Sequence, residues 1–233
     1  MYINDIDQGL TNLIKKFADD TKLIGKAKSE IDIASIKSDL IKLEEWSDRW
    51  LMKFNAEKCK VMHIGWQNKC AAYVIGAKEI GRVTEEKDLG VIIDQSFKVG
   101  KQCAKAAKKG NQILGMISRS FACKNQRVML QLYKSLVRPH LDYCQTTSIQ
   151  LWRPHLEKDK EGIEKVQRRA TRMILECRGM TYENRLKKVG LTILETRRIR
   201  ADILEVYKIM NGLEGVLEKD FFMCDKEGRR CHN

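Results

Sequence analysis

Asp19 and Asp20 stand side by side in Phe17-Ala18-Asp19-Asp20, flanked by Leu13-Ile14-Lys15-Lys16 and Thr21-Lys22-Leu23-Ile24. Two apolar-bearing runs around an Asp-Asp turn read as a tight hairpin. Carboxylates pushed out at a hairpin tip suit divalent cations. Phosphoryl transfer by two metal ions needs carboxylates that bridge ions about 3.5–4 Å apart. Adjacent side chains diverge in a tight turn, so one of the two is expected to be the principal ligand. Asp-Asp in a turn is also a common structural feature, and the dipeptide alone does not decide between the two readings.

Charge supplies the second chemical signal. The 233 residues carry 44 Lys and Arg against 31 Asp and Glu, a net of +13. The excess is concentrated: residues 95–141 hold 10 basic side chains and no acidic one. Surfaces that need only solubility mix their signs. A concentrated positive field is the footprint of a phosphate-binding surface, with nucleic acid the expected partner and an anionic membrane its rival. On helical spacing, Lys101, Lys105, Lys108, Gln112 and Arg119 fall on one stripe. Lys165, Arg168, Arg169 and Arg172 fall on another, at i, i+3, i+4 and i+7.

Other candidates are weaker. The eight cysteines form no CxxC pair, so reduced intracellular thiols are expected rather than a disulfide framework or zinc finger. Cys224 and Cys231-His232 lack an evident fourth ligand. His63, His140 and His155 show no general-base pattern, and Trp46 and Trp50 are expected in a core rather than as base-stacking platforms. No apolar run is long enough to cross a bilayer. No secretory pattern follows Met1. An intracellular protein of nucleus or cytoplasm is expected.

These groups must be held by two kinds of scaffold. Residues 30–53 read as an amphipathic helix with Ile33, Ile36, Leu40, Leu43 and Trp50 inward. Asp39, Glu44, Glu45 and Asp48 fall mostly on other faces. Val61–Ile64, Tyr73–Ile75 and Leu89–Ile93 read as short strands of a small antiparallel sheet, punctuated by Gly65, Gly76 and Gly81. From about Val99 the pattern is helical. Cys103, Ala107, Gly110, Leu114, Ile117 and Phe121 point inward on 101–121, and Val128, Met129, Leu132, Tyr133 and Leu136 on 125–138. Val166, Ala170, Met173, Ile174 and Cys177 do so on 161–178, and a last helix runs from Leu194 to Met210. Tyr143 and Trp152, between Pro139 and Pro154, are expected to pack into the helical core. The fold class is α+β, with boundaries at 1–94 and 95–233.

Five segments in order carry a family resemblance. Tyr2-Ile3-Asn4-Asp5-Ile6 with Lys16–Leu23 resembles the approach to motif C of non-LTR retrotransposon (LINE) reverse transcriptases. Leu43–Trp50 followed by Phe54–Cys59 is similar to motif D, and Glu86–Val91 to motif E, the primer grip. Tyr133–Leu141 and Val166–Ile174 resemble segments that follow the palm in the jockey and CR1-like branch. The resemblance implies a partial palm at 1–94 and a helical thumb and connection at 95–233. It also implies RNA-directed DNA polymerase chemistry, with RNA template, DNA primer and dNTP as partners and Mg²⁺ or Mn²⁺ as cofactor. On matching positions, Asp19 becomes the catalytic metal ligand and Asp20 its weaker neighbour. Lys58 becomes the motif D lysine that protonates pyrophosphate, and Leu89, Gly90 and Val91 the turn supporting the primer end.

The family's motif A aspartate, motif B loop and fingers have no place in the 18 residues before Asp19. The expected reading is therefore a C-terminal fragment that is not competent for synthesis alone. A non-catalytic nucleic-acid-binding module from a decayed or co-opted element is the alternative.

Overall fold

The computed structural model describes residues 5–142, 154 and 156–213. Tyr2, Ile3 and Asn4, the Tyr143 and Trp152 core candidates, His155, Cys224, Cys231 and His232 lie outside the described residues. The chain divides into two compact units, Met1–Lys98 and Val99–Asn233. Helices and short strands together make a mixed α and β fold.

In the first unit, β1 (Leu13–Phe17) and β2 (Asp20–Ile24) pair antiparallel, with Phe17 opposite Asp20. The hairpin forms as expected, and its two-residue loop is Ala18-Asp19. Ala18 takes φ +53°, the positive value that a primed hairpin turn needs at its first loop position. Ile14 and Leu23 face each other across the ladder and pack on a core of Ile33, Leu40, Leu43, Trp46, Tyr73 and Ile80. The neighbouring Leu13 and Ile24 alternate outward and are exposed.

Helix α1 (Glu30–Arg49) supplies most of that core. Ser29 caps it: its hydroxyl accepts from the Asp32 amide while the Asp32 carboxylate accepts from the Ser29 amide, a reciprocal capping box. The helix is shorter than expected. It stops at a C-cap on Trp50, followed by Leu51 at φ +56°. Trp50 therefore leaves the inward stripe and is 41% exposed, whereas Trp46 is buried and donates from Nε1 to Asp5 Oδ1 at 3.0 Å. Asp39 departs from expectation in the opposite sense and is completely buried.

The expected small antiparallel sheet is instead a set of separate two-stranded ladders. β3 (Lys60–Met62) pairs in parallel with β6 (Gly81–Val83), and β4 (Val74–Ile75) pairs antiparallel with β5 (Lys78–Glu79). β7 (Glu85–Asp88) and β8 (Val91–Asp94) form a hairpin around Leu89-Gly90. Both loop residues have positive φ, +43° and +86°, the type I′ requirement. Glycine meets it without strain; leucine does not. Leu89→Asn, which recreates the favoured Asn-Gly pair, is expected to raise stability by about 0.5–1 kcal/mol. The midpoint of urea unfolding checks this, and a lowered midpoint contradicts it.

In the second unit, α2 (Gly100–Ser120) and α5 (Glu157–Arg172) form the central helix pair. A Cβ on Gly100 would lie 3.3 Å from Asp159 Oδ2, and one on Gly110 would lie 3.0 Å from Val166 Cγ1. Advancing along α2 advances along α5, so the two helices run in the same direction. Gly110 lets them approach closely beside Leu141 and Val137.

The helix expected at 125–138 extends further, with a change of pitch. α3 (Gln126–Leu132) passes through a π-helical turn (Tyr133–Val137) into α4 (Arg138–Asp142). The wider turn re-phases the inward stripe. Val137 and Leu141 are fully buried, while Leu136, expected inward, is 41% exposed. Phe121 also turns outward, because α2 ends there in extended backbone. α6 (Tyr182–Val189), which sequence periodicity left unassigned, closes on Gly190 in left-handed backbone. α7 (Leu194–Met210) has the expected bounds.

Candidate functional site

Asp19 and Asp20 lie at the tip of the β1–β2 hairpin and are both exposed. What fixes this hairpin is buried at its other end. Asp39 of α1 accepts hydrogen bonds from the Thr11 amide (3.0 and 3.1 Å), the Asn12 amide (2.7 Å) and Asn12 Nδ2 (2.9 Å). Lys42 Nζ adds a contact at 3.2 Å. Burial alone would raise the Asp39 pKa, but these donors together hold it below its ordinary value of 3.8. The carboxylate thus clamps the chain one residue before β1 begins.

A second link ties this hairpin to the turn matched with the primer grip. Lys22 of β2 meets Asp88 of β7 at 2.5 Å. Asp88 immediately precedes Leu89 and pairs with Val91 across β7–β8. Leu89 is exposed at the loop, Gly90 is half-buried, and Val91 points into the interior at 1% exposure. The structure therefore connects the two hairpins whose residues were singled out separately. Lys58 is exposed in the turn after α1, in the same unit.

Among the described residues, no group of three His, Cys, Asp or Glu side chains is arranged to hold a metal ion. Asp19 and Asp20 alone do not complete a ligand set for Mg²⁺ or Mn²⁺. His63 hydrogen-bonds Asn68 Oδ1 at 3.1 Å through Nδ1 and stacks near Tyr73, an arrangement of packing rather than proton transfer.

The basic residues of the second unit lie on exposed faces of its central helix pair. Lys101, Lys105 and Lys108 are exposed on α2, opposite the buried Cys103, Ala106 and Gly110. Burial, then the charge of Asp159, pushes the Cys103 thiol up to about 11, which leaves it a neutral core group. On α5 the expected stripe divides. Arg169 reaches across to α2 and donates to Asn111 Oδ1 at 2.9 Å, one turn from Lys108. Lys165 pairs loosely with Glu161 at 3.7 Å, leaving both side chains more than half exposed. Arg168 lies over the Tyr182 ring of α6, and it lines an open depression with Arg172. The two subsets share a helix but face different neighbours.

A polar network centred on buried Gln167 joins α5 to α6. Tyr133 Oη donates to Gln167 Oε1 at 2.7 Å, and Gln167 Nε2 donates to Tyr182 Oη and Thr192 O, each at 3.0 Å. The Tyr182 hydroxyl also contacts Glu164, whose other oxygen accepts from the Leu194 amide at 2.9 Å. Burial and this acidic neighbour push the Tyr182 phenol strongly upward, so it remains a neutral structural donor. Sequence periodicity did not single out Gln167, Tyr182 or Arg185; their roles depend on packing between separate helices.

Comparison with known proteins agrees with the family resemblance. Over 136 residues, 56% of this chain and 15% of the relative, the sequence is 25% identical to the RNA-directed DNA polymerase from mobile element jockey of Drosophila melanogaster. Over 197 residues, 80% of this chain and 21% of the relative, it is 24% identical to the protein of the same name from Drosophila funebris. The aligned segments thus cover about a fifth or less of those polymerases. No family model and no solved structure matches the chain. The chain is related to the reverse transcriptases of non-LTR retrotransposons, and jockey polymerases are relatives that it resembles. No helix among the described residues is long and apolar enough to cross a membrane.

Proposed function

We propose that this chain binds an RNA–DNA template–primer duplex through its helical unit, as the thumb and connection region of a retrotransposon reverse transcriptase. The first unit then supplies part of the palm, with Asp19 as a metal ligand, Asp20 beside it, Lys58 as a proton donor and Leu89-Gly90-Val91 as the primer support. The observation that carries the reading is the acid-free tract at 95–141, whose Lys101, Lys105 and Lys108 stand exposed on α2 beside α5. Phosphate contacts of this kind position a duplex without reading its bases. Competition between a labelled RNA–DNA duplex and anionic vesicles at fixed ionic strength tests it. The duplex is expected to win, with little preference among sequences. A preference for vesicles contradicts the proposal.

Polymerase chemistry is proposed for the longer protein in which such a unit works, not for these 233 residues alone. Two adjacent exposed carboxylates give one side of a two-metal site, and among the described residues no further carboxylate opposes them. Primer extension on an RNA template with Mg²⁺ or Mn²⁺ is expected to give no product. Extension that Asp19→Ala abolishes would restore a catalytic reading of the chain by itself.

A further inference from the structure

The depression between the C-terminal end of α5 and the start of α6 gathers four guanidinium groups, from Arg168, Arg172, Arg178 and Arg185. Tyr182 is the fixed point around which two of them are placed. Its hydroxyl is held by Glu164 and Gln167, and its ring carries Arg168 at 5.1 Å and Arg185 at 5.6 Å from the centroid. Cations over an aromatic face are attracted to it, so one tyrosine orients both arginines.

The charges are poorly compensated from within. Arg168 meets Glu161 at 3.5 Å, but both side chains are about half exposed, and such a pair contributes little. No carboxylate lies within ion-pair distance of Arg172, Arg178 or Arg185 among the described residues. Arg185 is the most constrained of the four. Only 6% of it is exposed, and its Nε has no hydrogen-bond partner among the described residues. A buried charged donor without an acceptor is costly, and four like charges around one depression repel. A bound anion with several acceptor oxygens relieves both. The guanidinium fork matches phosphate in that way, with two parallel hydrogen bonds to one group.

We infer that this depression is a discrete phosphate-binding site, taking one backbone phosphate of a nucleic acid. The inference rests on the duplex-binding proposal and names a contact point within it. The open side of the site favours a phosphate carried on a chain over an enclosed small anion: Arg172, Arg178 and Met180 are exposed at its mouth. It is also continuous with the helix that carries Lys165 and Arg169, so a strand following α5 meets it in passing.

The test measures duplex affinity of the whole chain across a range of salt. Arg172→Ala combined with Arg178→Ala alters only exposed side chains. It is expected to lower affinity about tenfold and to reduce the log K against log salt slope by about one, the share of one neutralised phosphate. Arg185→Lys keeps the charge and loses the fork, and is expected to weaken binding with unchanged helicity by circular dichroism. Inorganic phosphate at constant ionic strength should compete with the duplex for wild type and much less for the double variant. A steep wild-type slope that the double variant leaves unchanged overturns this site but not the duplex proposal. Phosphate binding that depends on these arginines, with duplex affinity independent of them, makes it a free-anion site and overturns the assignment to the backbone. Absence of any salt-dependent duplex binding by wild type overturns the reading on which the site rests.

Discussion

Replacing Asp39 with asparagine is expected to destabilise the first unit by about 2–4 kcal/mol. The side chain is fully buried and accepts from two backbone amides, an amide nitrogen and a lysine. Hydrogen bonds to a charged acceptor contribute about 1.5–3 kcal/mol each, and a donor left buried without a partner costs about as much as the bond contributed. Asparagine keeps the shape but turns one acceptor into a donor, facing the amides of Thr11 and Asn12. Urea unfolding followed by the fluorescence of buried Trp46 reads this unit. Asp48→Asn, at an exposed position on the same helix, is the control and should change stability by less than about 0.5 kcal/mol.

The same carboxylate predicts an acid response. Its folded pKa lies below the ordinary 3.8, so at low pH the unfolded chain takes up the proton first. The stabilisation from ionised Asp39 is complete above that ordinary value and is lost as pH falls toward the lowered one. Asp39→Asn should therefore lose less stability on acidification than wild type. A variant as stable as wild type, with the same acid profile, would show that Asp39 is not the clamp that holds the β1–β2 hairpin.

Removing Lys105, Lys108, Arg168 and Arg172 together should weaken duplex binding about a hundredfold at low salt, for all sequences alike. Lys105 and Lys108 are exposed on α2, and Arg168 and Arg172 border the α5–α6 depression. Each phosphate neutralised by such groups releases condensed counterions, so losing these contacts also flattens the salt dependence. Asp19→Ala in the first unit should leave affinity nearly unchanged. A quadruple variant that binds as tightly as wild type would remove these helices from the interface.

Much of the scaffold was legible because it rests on local pattern. The runs flanking Asp19-Asp20 predicted the hairpin, and apolar spacing placed α1, α2 and α7; the helix expected over 161–178 instead spans Glu157–Arg172, and Ile174 and Cys177 are buried from the turn that follows it. Trp50 misled because the stripe continues past the point where the helix ends. Leu136 misled because a π turn shifts every later side chain, which a fixed period of 3.6 residues does not anticipate. Asp39 was grouped with the charges off the apolar face, since its partners lie 27 and 28 residues away in sequence. The small ladders were misassigned to one sheet because strands of two to four residues carry little periodicity, and the β3–β6 pairing is nonlocal and parallel. At the candidate site the basic residues were visible as a stripe on α5. The division of that stripe between Asn111 and Tyr182, like the Lys22–Asp88 link, depends on which elements pack together.

The salt dependence of wild-type affinity for an RNA–DNA duplex decides whether α2 and α5 grip phosphates. About four to six phosphate contacts along α2 and α5 predict a log K against log salt slope of roughly −3 to −5, alike for unrelated sequences. A slope near zero, or tight binding confined to one sequence, would contradict a duplex grip built on these lysines and arginines.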